Sequence, residues 1–280
     1  MTLLSSRPAR PVEPALLSKA LEVAGRLAND ATDVITATAG RGARPETGDT
    51  PFDWVTDTER ILERHTRRVL TAEFPGVPVV GEEFGADLGA HEAEYRWVVD
   101  PVDGTANYVA GMPWCAFSLA LVDSSGPVVG VIADPYRGQI YAAARGRGAR
   151  ANGTPVRLSG EPVRTTGAII CTELGRGGAW PGMAGFIEQA SAAHAGVRVL
   201  GSAALSVAQV AMGHAGAAVL HSYHEWDVAA AVALAIESGA VVMDRHGEGN
   251  ALPSDGLLVA APGLAETVLD WWRGTSLSRG

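Results

Sequence analysis

The segment from Trp97 to Thr105 constrains the fold most, because a short apolar run leads directly into two aspartates. Its sequence, WVVDPVDGT, places Asp100 and Asp103 three residues apart. Apolar, β-branched runs of this length are typical of buried strands. Two close carboxylates repel each other unless a cation neutralises them, and Mg²⁺ and Ca²⁺ prefer such oxygen ligands. The segment therefore predicts a buried strand that ends either at a metal site or in a capped turn, as isolated aspartates beside Pro and Gly often do.

Two further acidic segments favour the metal site over the capped turn. Glu82 and Glu83 follow the apolar run VPVV, and Asp227 follows Trp226 just before an alanine-rich helical stretch. Three acidic strand ends that converge are harder to explain as capped turns than one such strand end is. Spacing alone nevertheless indicates only a metal site of unspecified purpose.

The remaining hydrophobic pattern predicts a mixed α/β protein. Helical periodicity is expected near residues 16–27, 58–74, 182–193, 203–213, 227–238 and 263–272. The apolar runs at 115–123, 127–134 and 139–145 resemble an antiparallel meander, whereas strands and helices alternate after residue 160. We therefore predict two halves, residues 1–160 and 161–280, that share one site. Residues 1–14 and 40–51 are expected to be irregular.

Composition excludes several classes of protein. Of the 280 residues 47% are hydrophobic and 19% are charged, which suits a filled core rather than a disordered chain. The formal net charge of -9 disfavours non-specific binding to nucleic acid, which needs clustered Lys and Arg. The two cysteines, Cys115 and Cys171, form neither a disulfide framework nor a CxxC metal site. Because the sequence shows no signal-peptide pattern and no membrane-spanning run, we expect a cytoplasmic protein.

Several sequence blocks together resemble the inositol monophosphatase family, which belongs to a larger group with the fructose-1,6-bisphosphatases. The blocks are DWVT at 53–56 with the following Glu59, GEE at 81–83, WVVDPVDGTANYVAGMPW at 97–114, GSAA at 201–204 and EWD at 225–227. They occur in family order and cover nearly the whole chain. The resemblance implies an α/β (α+β) fold, the layered αβαβα sandwich of this family. It also implies Mg²⁺-dependent hydrolysis of a phosphate monoester on a small polyol.

The same resemblance implies a metal site. Two or three Mg²⁺ ions would be held by the side chains of Glu82, Asp100, Asp103 and Asp227 and by the carbonyl oxygen of Val102. Water would then be the nucleophile, and no phosphoenzyme would form. Li⁺ inhibition and a homodimer are further expectations from the resemblance.

The resemblance also implies catalytic and substrate-binding residues. The catalytic residues are Thr105, Glu82 and Glu59, and the substrate contacts are Gly104, Thr105, Gly201, Ser202, Ala203 and Asp227. Backbone N–H groups of Gly104 and Thr105 would bind phosphate at the start of a short helix. The Thr105 hydroxyl would orient the attacking water and would be polarised by Glu59. Family members usually have Asp at that position, so we expect a shifted backbone to preserve the hydrogen bond.

Two positions depart from inositol-specific members of the family. Leu220 stands where those relatives carry an acid for a substrate hydroxyl, and Gly48 falls near a loop Lys of some relatives. Loss of a hydroxyl contact weakens the case for inositol phosphate. A sugar phosphate, histidinol phosphate or a 3'-phosphonucleotide therefore stays open as substrate, and a non-catalytic phosphate-binding protein is the alternative from another class.

Four residues near the proposed ligands are left out of the site. His221 and His224 precede Asp227, but histidines near a loop are more often surface or hydrogen-bonded residues, and a hard Mg²⁺ cluster prefers oxygen. Glu83 and Glu225 each adjoin a proposed ligand. We expect them to face away from the metal or to support its ligands from outside.

Overall fold

A computed structural model describes residues 10–41, 46–47, 54–159, 164–175, 178–249 and 251–274. Gly48 and Asp53, which belong to the sequence arguments above, lie outside these residues. No helix within the described ranges is long and apolar enough to cross a membrane.

Seven helices form in the described ranges. They are α1 (Pro14–Thr38), α2 (Asp57–Glu73), α3 (Thr105–Ala110), α4 (Met183–Ala192), α5 (Ala203–Ala211), α6 (Glu225–Ser238) and α7 (Ala265–Gly274). Pro14 begins α1 rather than ending an irregular leader, because a proline lacks the N–H that a first helical turn leaves unpaired. The helix α6 begins two residues before the predicted start, so Asp227 lies in its first turn. The prediction of an acidic strand end at Asp227 is therefore wrong, because this residue is the third of a helix.

The strands of the described ranges are short except at the centre of the molecule. They are β1 (Glu46–Thr47), β2 (Trp54–Val55), β3 (Val79–Gly81), β4 (Gly85–Ala86), β5 (Tyr95–Asp103), β6 (Ala116–Asp123), β7 (Gly126–Asp134), β8 (Gln139–Ala144), β9 (Ala149–Ala151), β10 (Thr154–Val156), β11 (Ile169–Thr172), β12 (Gly196–Val199), β13 (Ala217–Leu220), β14 (Val241–Met243) and β15 (Leu257–Ala260). The strands β1 and β2 pair only with each other, so part of the predicted irregular segment 40–51 forms a strand.

The larger sheet contains eight strands in the order β10-β9-β8-β7-β6-β5-β3-β4. The strands from β5 to β10 are antiparallel neighbours, which confirms the predicted meander, and β3 pairs parallel to β5. Every residue of β6 and β7 is buried. Both faces of the sheet are covered by helices, and this explains why these strands are continuous apolar runs rather than alternating ones.

Alternate residues of the central strands belong to two different cores. Leu119 and Leu121 of β6 pack with α1, whereas Ala120 and Val122 pack with α5 and α6. The helix α6 approaches β7 so closely that a Cβ atom on Gly130 would lie 2.4 Å from the carbonyl oxygen of Ala230. Small residues on both elements therefore permit this contact.

The smaller sheet contains five strands in the order β12-β11-β13-β15-β14, of which β12, β11 and β13 are parallel. One face packs on α5 and α6, and the other packs on α4 and α7. The layers thus run α1/α2, larger sheet, α5/α6, smaller sheet and α4/α7. This is the predicted αβαβα sandwich.

Candidate active site

The two aspartates of the DPVDGT segment lie at a bulge in β5. Asp100 pairs with Ser118 and Asp103 with Ala116, so the register shifts by one residue between them. The backbone N–H of Val102 donates to Asp100 Oδ1 over 3.0 Å. A bulge turns successive side chains away from their regular alternation. It places both carboxylates, 2% and 8% exposed, at the same end of the sheet.

Asp103 connects this end of β5 to the start of α5. Its carboxylate accepts hydrogen bonds from the Ser202 hydroxyl, from Ala204 N at 2.8 Å and from Ala203 N at 3.3 Å. Ser202 is the N-cap of α5, and its Oγ also accepts from Leu205 N. Burial raises the pKa of Asp103 to about 6, although these hydrogen bonds oppose the increase. Two predicted substrate contacts, Ser202 and Ala203, therefore lie against the carboxylate of a predicted metal ligand.

Gly104 and Gly201 bring the two segments into direct contact. Gly104 has a φ of +96°, and a Cβ atom there would lie 2.9 Å from the Gly201 carbonyl oxygen. Asn107 secures the contact, since its Nδ2 donates to Leu200 O at 2.7 Å and to Trp114 O at 2.8 Å. A side chain at position 104 would both strain the backbone and separate the segments.

The predicted hydrogen bond between Thr105 and Glu59 is present. Thr105 Oγ1 lies 2.5 Å from Glu59 Oε1, while Glu59 Oε2 accepts from Thr56 N at 2.6 Å as part of a capping box at the start of α2. The longer side chain of Glu thus reaches both partners. Burial raises the pKa of Glu59, and the hydrogen bonds from Thr105 and Thr56 partly offset this increase. Because a hydroxyl has one proton, donation to Glu59 leaves the Thr105 lone pairs free to accept.

Glu82 and Asp100 lie beside these residues and close enough to Asp227 to be affected by its charge. The pKa of Glu82 is raised well above its usual range, first by burial and then by the charges of Asp227 and Glu59. The pKa of Asp100 is raised in the same way by burial, then by Glu82, Asp103 and Asp227. The structure therefore brings together the four predicted acidic ligands and Glu59.

The donor set fits a hard divalent cation by its chemistry. Clustered buried carboxylates are unfavourable unless they are protonated or share a cation, and oxygen ligands suit Mg²⁺. As the described residues stand, no group of three or more His, Cys, Asp or Glu side chains is arranged to hold a metal ion. Two of the acids are engaged by the protein, since Asp103 is bonded at the start of α5 and Asp227 Oδ2 accepts from His224 N at 2.7 Å. The complete ligand set stays a prediction.

The residues left out of the predicted site have protein partners. The side chain of Glu83 is 4% exposed and lies 3.8 Å from Arg60 Nε, and Glu225 pairs with Arg96. The His224 ring stacks on Trp226 with centroids 4.2 Å apart. His221 stacks on Trp180 at 5.5 Å. Neither histidine is a group of the acidic cluster.

Two acids near the site, one half-buried and one buried, were missed by sequence reasoning. Glu173 follows β11, accepts from Gly201 N at 2.7 Å and Ser206 Oγ at 2.6 Å, and has its pKa raised to about 7 by burial. An acid at the end of an apolar strand was the signal that could have found it. Glu63 of α2 is buried against the segment that contains Glu82. No sequence feature indicated this, because a Glu in a charged helix is usually solvated.

Comparison with known proteins identifies one family over nearly the whole chain. The model of the inositol monophosphatase family matches residues 16–272. Inositol-1-monophosphatase ImpA of Mycolicibacterium smegmatis is 34% identical over 223 residues, which cover 78% of this chain and 79% of that protein. The Nus factor SuhB of Pasteurella multocida is 29% identical over 224 residues, covering 78% and 82%.

A solved structure supports the same assignment. The IMPase of Thermotoga maritima superposes with a TM-score of 0.84 at 26% identity, covering 93% of this chain and 99% of that one. A match of this extent supports the layered fold described above. The chain belongs to the inositol monophosphatase family, a family of metal-dependent phosphoric monoester hydrolases.

Proposed function

We propose that this enzyme hydrolyses the phosphate monoester of a small polyol with a water molecule as nucleophile. The observation that carries the proposal is the hydrogen bond between Thr105 and the buried Glu59, directly beside the acidic cluster of Glu82, Asp100, Asp103 and Asp227. A site built only to bind phosphate would need cationic or N–H groups. It would have no use for a polarised hydroxyl beside these acids.

The metal ligands in this proposal are the side chains of Glu82, Asp100, Asp103 and Asp227 and the carbonyl oxygen of Val102, for two or three Mg²⁺ ions. When bound, Mg²⁺ supplies Lewis acidity toward the phosphate, lowers the pKa of water and stabilises the leaving alkoxide. Burial and then neighbouring charges raise the pKa values of Glu82 and Asp100, and neutralising the cluster removes the second of these causes.

Thr105 and Glu59 orient the attacking water. The Thr105 hydroxyl donates its proton to Glu59 Oε1 and therefore presents a lone pair to a water proton. Glu59 is fully buried and its pKa is raised, so its carboxylate is a better proton acceptor than one in solvent. Glu82, close enough to be influenced by the Glu59 charge, completes the catalytic group.

The substrate is held from both halves of the chain. We assign the phosphate to the backbone N–H groups of Gly104 and Thr105, next to the contact between Gly104 and Gly201. Gly201, Ser202, Ala203 and Asp227 are assigned to the alcohol side, because Ser202 and Ala203 are fixed by Asp103 at the start of α5.

A second substrate class is favoured by Leu220. Leu220 is 1% exposed at the end of β13 and offers no polar group to a hydroxyl. A pocket that lacks a hydroxyl partner discriminates less strongly for a polyol. The same chemistry on a sugar phosphate, histidinol phosphate or a 3'-phosphonucleotide is therefore the second candidate.

Phosphate release from a substrate panel tests the proposal. Inositol 1-phosphate, fructose 1,6-bisphosphate, histidinol phosphate and adenosine 3',5'-bisphosphate should each be assayed with Mg²⁺ and with EDTA. We expect release from at least one compound with Mg²⁺ and none with EDTA, and the kcat/KM values will rank the substrates. Tight binding of these compounds without turnover would contradict the proposal and favour a phosphate-binding protein.

A further inference from the structure

We propose that Glu63 is a positioning residue for Glu82, and that with Arg67 and Asp87 it sets the affinity of the site for its divalent cation. This inference rests on the proposed function, in which Glu82 is a metal ligand. Glu63 is fully buried in α2, four residues after Glu59 and so on the same face of that helix. It contacts the chain on both sides of Glu82.

Both oxygens of Glu63 bind the backbone that follows Glu82. Glu63 Oε2 accepts from Glu83 N at 2.7 Å, and Oε1 accepts from Phe84 N at 3.3 Å. On the other side of Glu82, a Cβ atom on Gly81 would lie 2.2 Å from Glu63 Oε1. The carboxylate therefore occupies the space next to Gly81 and fixes the path of the chain through Glu82.

Arg67 holds Glu63 and extends the contacts to the next strand. Arg67 Nε donates to Glu63 Oε1 at 2.8 Å, and its Nη2 donates to Gly85 O at 2.5 Å. Its Nη1 donates to Asp87 Oδ1 at 2.8 Å, while Asp87 Oδ2 accepts from Val79 N at 2.9 Å. The three side chains thus bind different parts of the hairpin formed by β3 and β4. Asp87 binds the first residue of β3, Glu63 binds the turn, and Arg67 binds the first residue of β4.

These contacts matter because the hairpin is short. Only two residue pairs join β3 to β4, and Glu82 itself is held by one backbone bond, from its N–H to Val99 O at 3.3 Å. A ligand on such a turn depends on neighbouring groups for its position. The helix α2 consequently serves both parts of the site, since Glu59 contacts Thr105 and Glu63 fixes the Glu82 turn.

The Glu63→Gln variant tests the inference. Gln has nearly the same size but replaces one acceptor oxygen with an NH₂ group, which cannot accept from the hairpin N–H groups or from Arg67. We expect the affinity for Mn²⁺, titrated by calorimetry without substrate, to fall about tenfold, as for other residues that orient metal ligands. The Mg²⁺ concentration for half-maximal activity should rise by a similar factor. KM at saturating Mg²⁺ should change less than about threefold.

Glu73→Gln is the matched control, because Glu73 is on the same helix and pairs with Arg26 at the surface. Its Mn²⁺ affinity should equal that of the wild type. A folded Glu63→Gln protein with wild-type Mn²⁺ affinity would overturn this inference and leave the proposed function intact. If the wild type neither binds Mn²⁺ nor depends on Mg²⁺, the proposed function fails as well.

A second variant covers the case in which Glu63→Gln does not fold. Asp87→Asn removes one charge from the exposed end of the network and keeps Glu63 in place. We expect it to fold and to lower Mn²⁺ affinity about threefold, less than Glu63→Gln. An unchanged Mn²⁺ affinity in folded Asp87→Asn would overturn the role of the network.

Discussion

The two sides of the proposed pocket are built from different kinds of contact. The side formed by residues 100–105 and 201–204 is held by hydrogen bonds, of which Asp103 alone accepts three, and Thr105 donates another to a buried carboxylate. The side formed by residues 220–226 is mostly apolar or aromatic, with a buried Leu220 and a His224 ring stacked on Trp226. The first side carries Asp100 and Asp103, whereas the second carries Leu220, at the position where we predict an acid in inositol-specific relatives. We therefore expect substitutions on the first side to change the rate of the chemistry and those on the second to change the choice of substrate.

The largest effect is expected on the hydrogen-bonded side, from Asp100→Asn. The variant should lose about 1000-fold in kcat, because several kcal/mol of transition-state stabilisation depend on a bound metal. Without metal its melting temperature should equal or exceed that of the wild type, since burial and neighbouring charges raise the pKa of Asp100 and its ionised form is unfavourable. Asp270→Asn on α7 is the exposed control. Full activity of Asp100→Asn would refute the metal role.

Replacing Glu59 tests the second component of the same side. Glu59→Gln should lower kcat about 100-fold with little change in KM, because a positioned general base typically contributes this much and Gln cannot accept a proton. Glu59→Asp introduces the acid that the family resemblance leads us to expect at this position. It should lose less activity than Glu59→Gln if the shorter side chain still reaches Thr105. Wild-type kcat in Glu59→Gln would contradict the role of the Glu59 carboxylate as a proton acceptor.

The aromatic side is tested by adding the missing acid. Leu220→Glu should raise kcat/KM for inositol 1-phosphate relative to histidinol phosphate by about tenfold, since a hydroxyl partner increases discrimination. Leu220→Gln has the same length without the charge and should shift the ratio less. Melting curves must accompany both variants, because Leu220 is buried and a polar group there destabilises the protein. An unchanged ratio in folded variants would place the substrate away from Leu220.

The smallest effect concerns stability and pH. Burial raises the pKa of Glu173 from its ordinary value of 4.5 to about 7 in the folded protein. The unfolded chain therefore releases this proton at lower pH, so the associated stability is present below pH 4.5 and is lost as pH rises toward 7. In Glu173→Gln this loss should be absent, and the decrease of melting temperature across that window should be smaller by about 2–4 °C. Parallel curves for the two metal-free proteins would contradict the assignment.

Sequence alone predicted those parts of the molecule that depend on local pattern. The runs at 115–123 and 127–134 predicted the central strands because both faces of those strands are buried. The bond between Asp103 and Ser202, 99 residues apart, follows from packing that no spacing reveals. Glu63 was missed for a related reason, since a Glu on an amphipathic helix gives no sign that a hairpin will cover it. The order of the layers was predicted from the family resemblance, because hydrophobic periodicity does not show how helices and sheets stack.

The helix layer between the two sheets has a consequence for how the chain can be divided. Residues 228–235 of α6 are all buried, and they contribute to one core with strands from both sheets. A chain cut near residue 160 would leave the larger sheet without the helix that covers Gly130, and the second fragment would carry an apolar helix with one face bare. We therefore expect the two halves to melt in a single cooperative transition, and the unit that evolution can duplicate or transplant to be the whole sandwich.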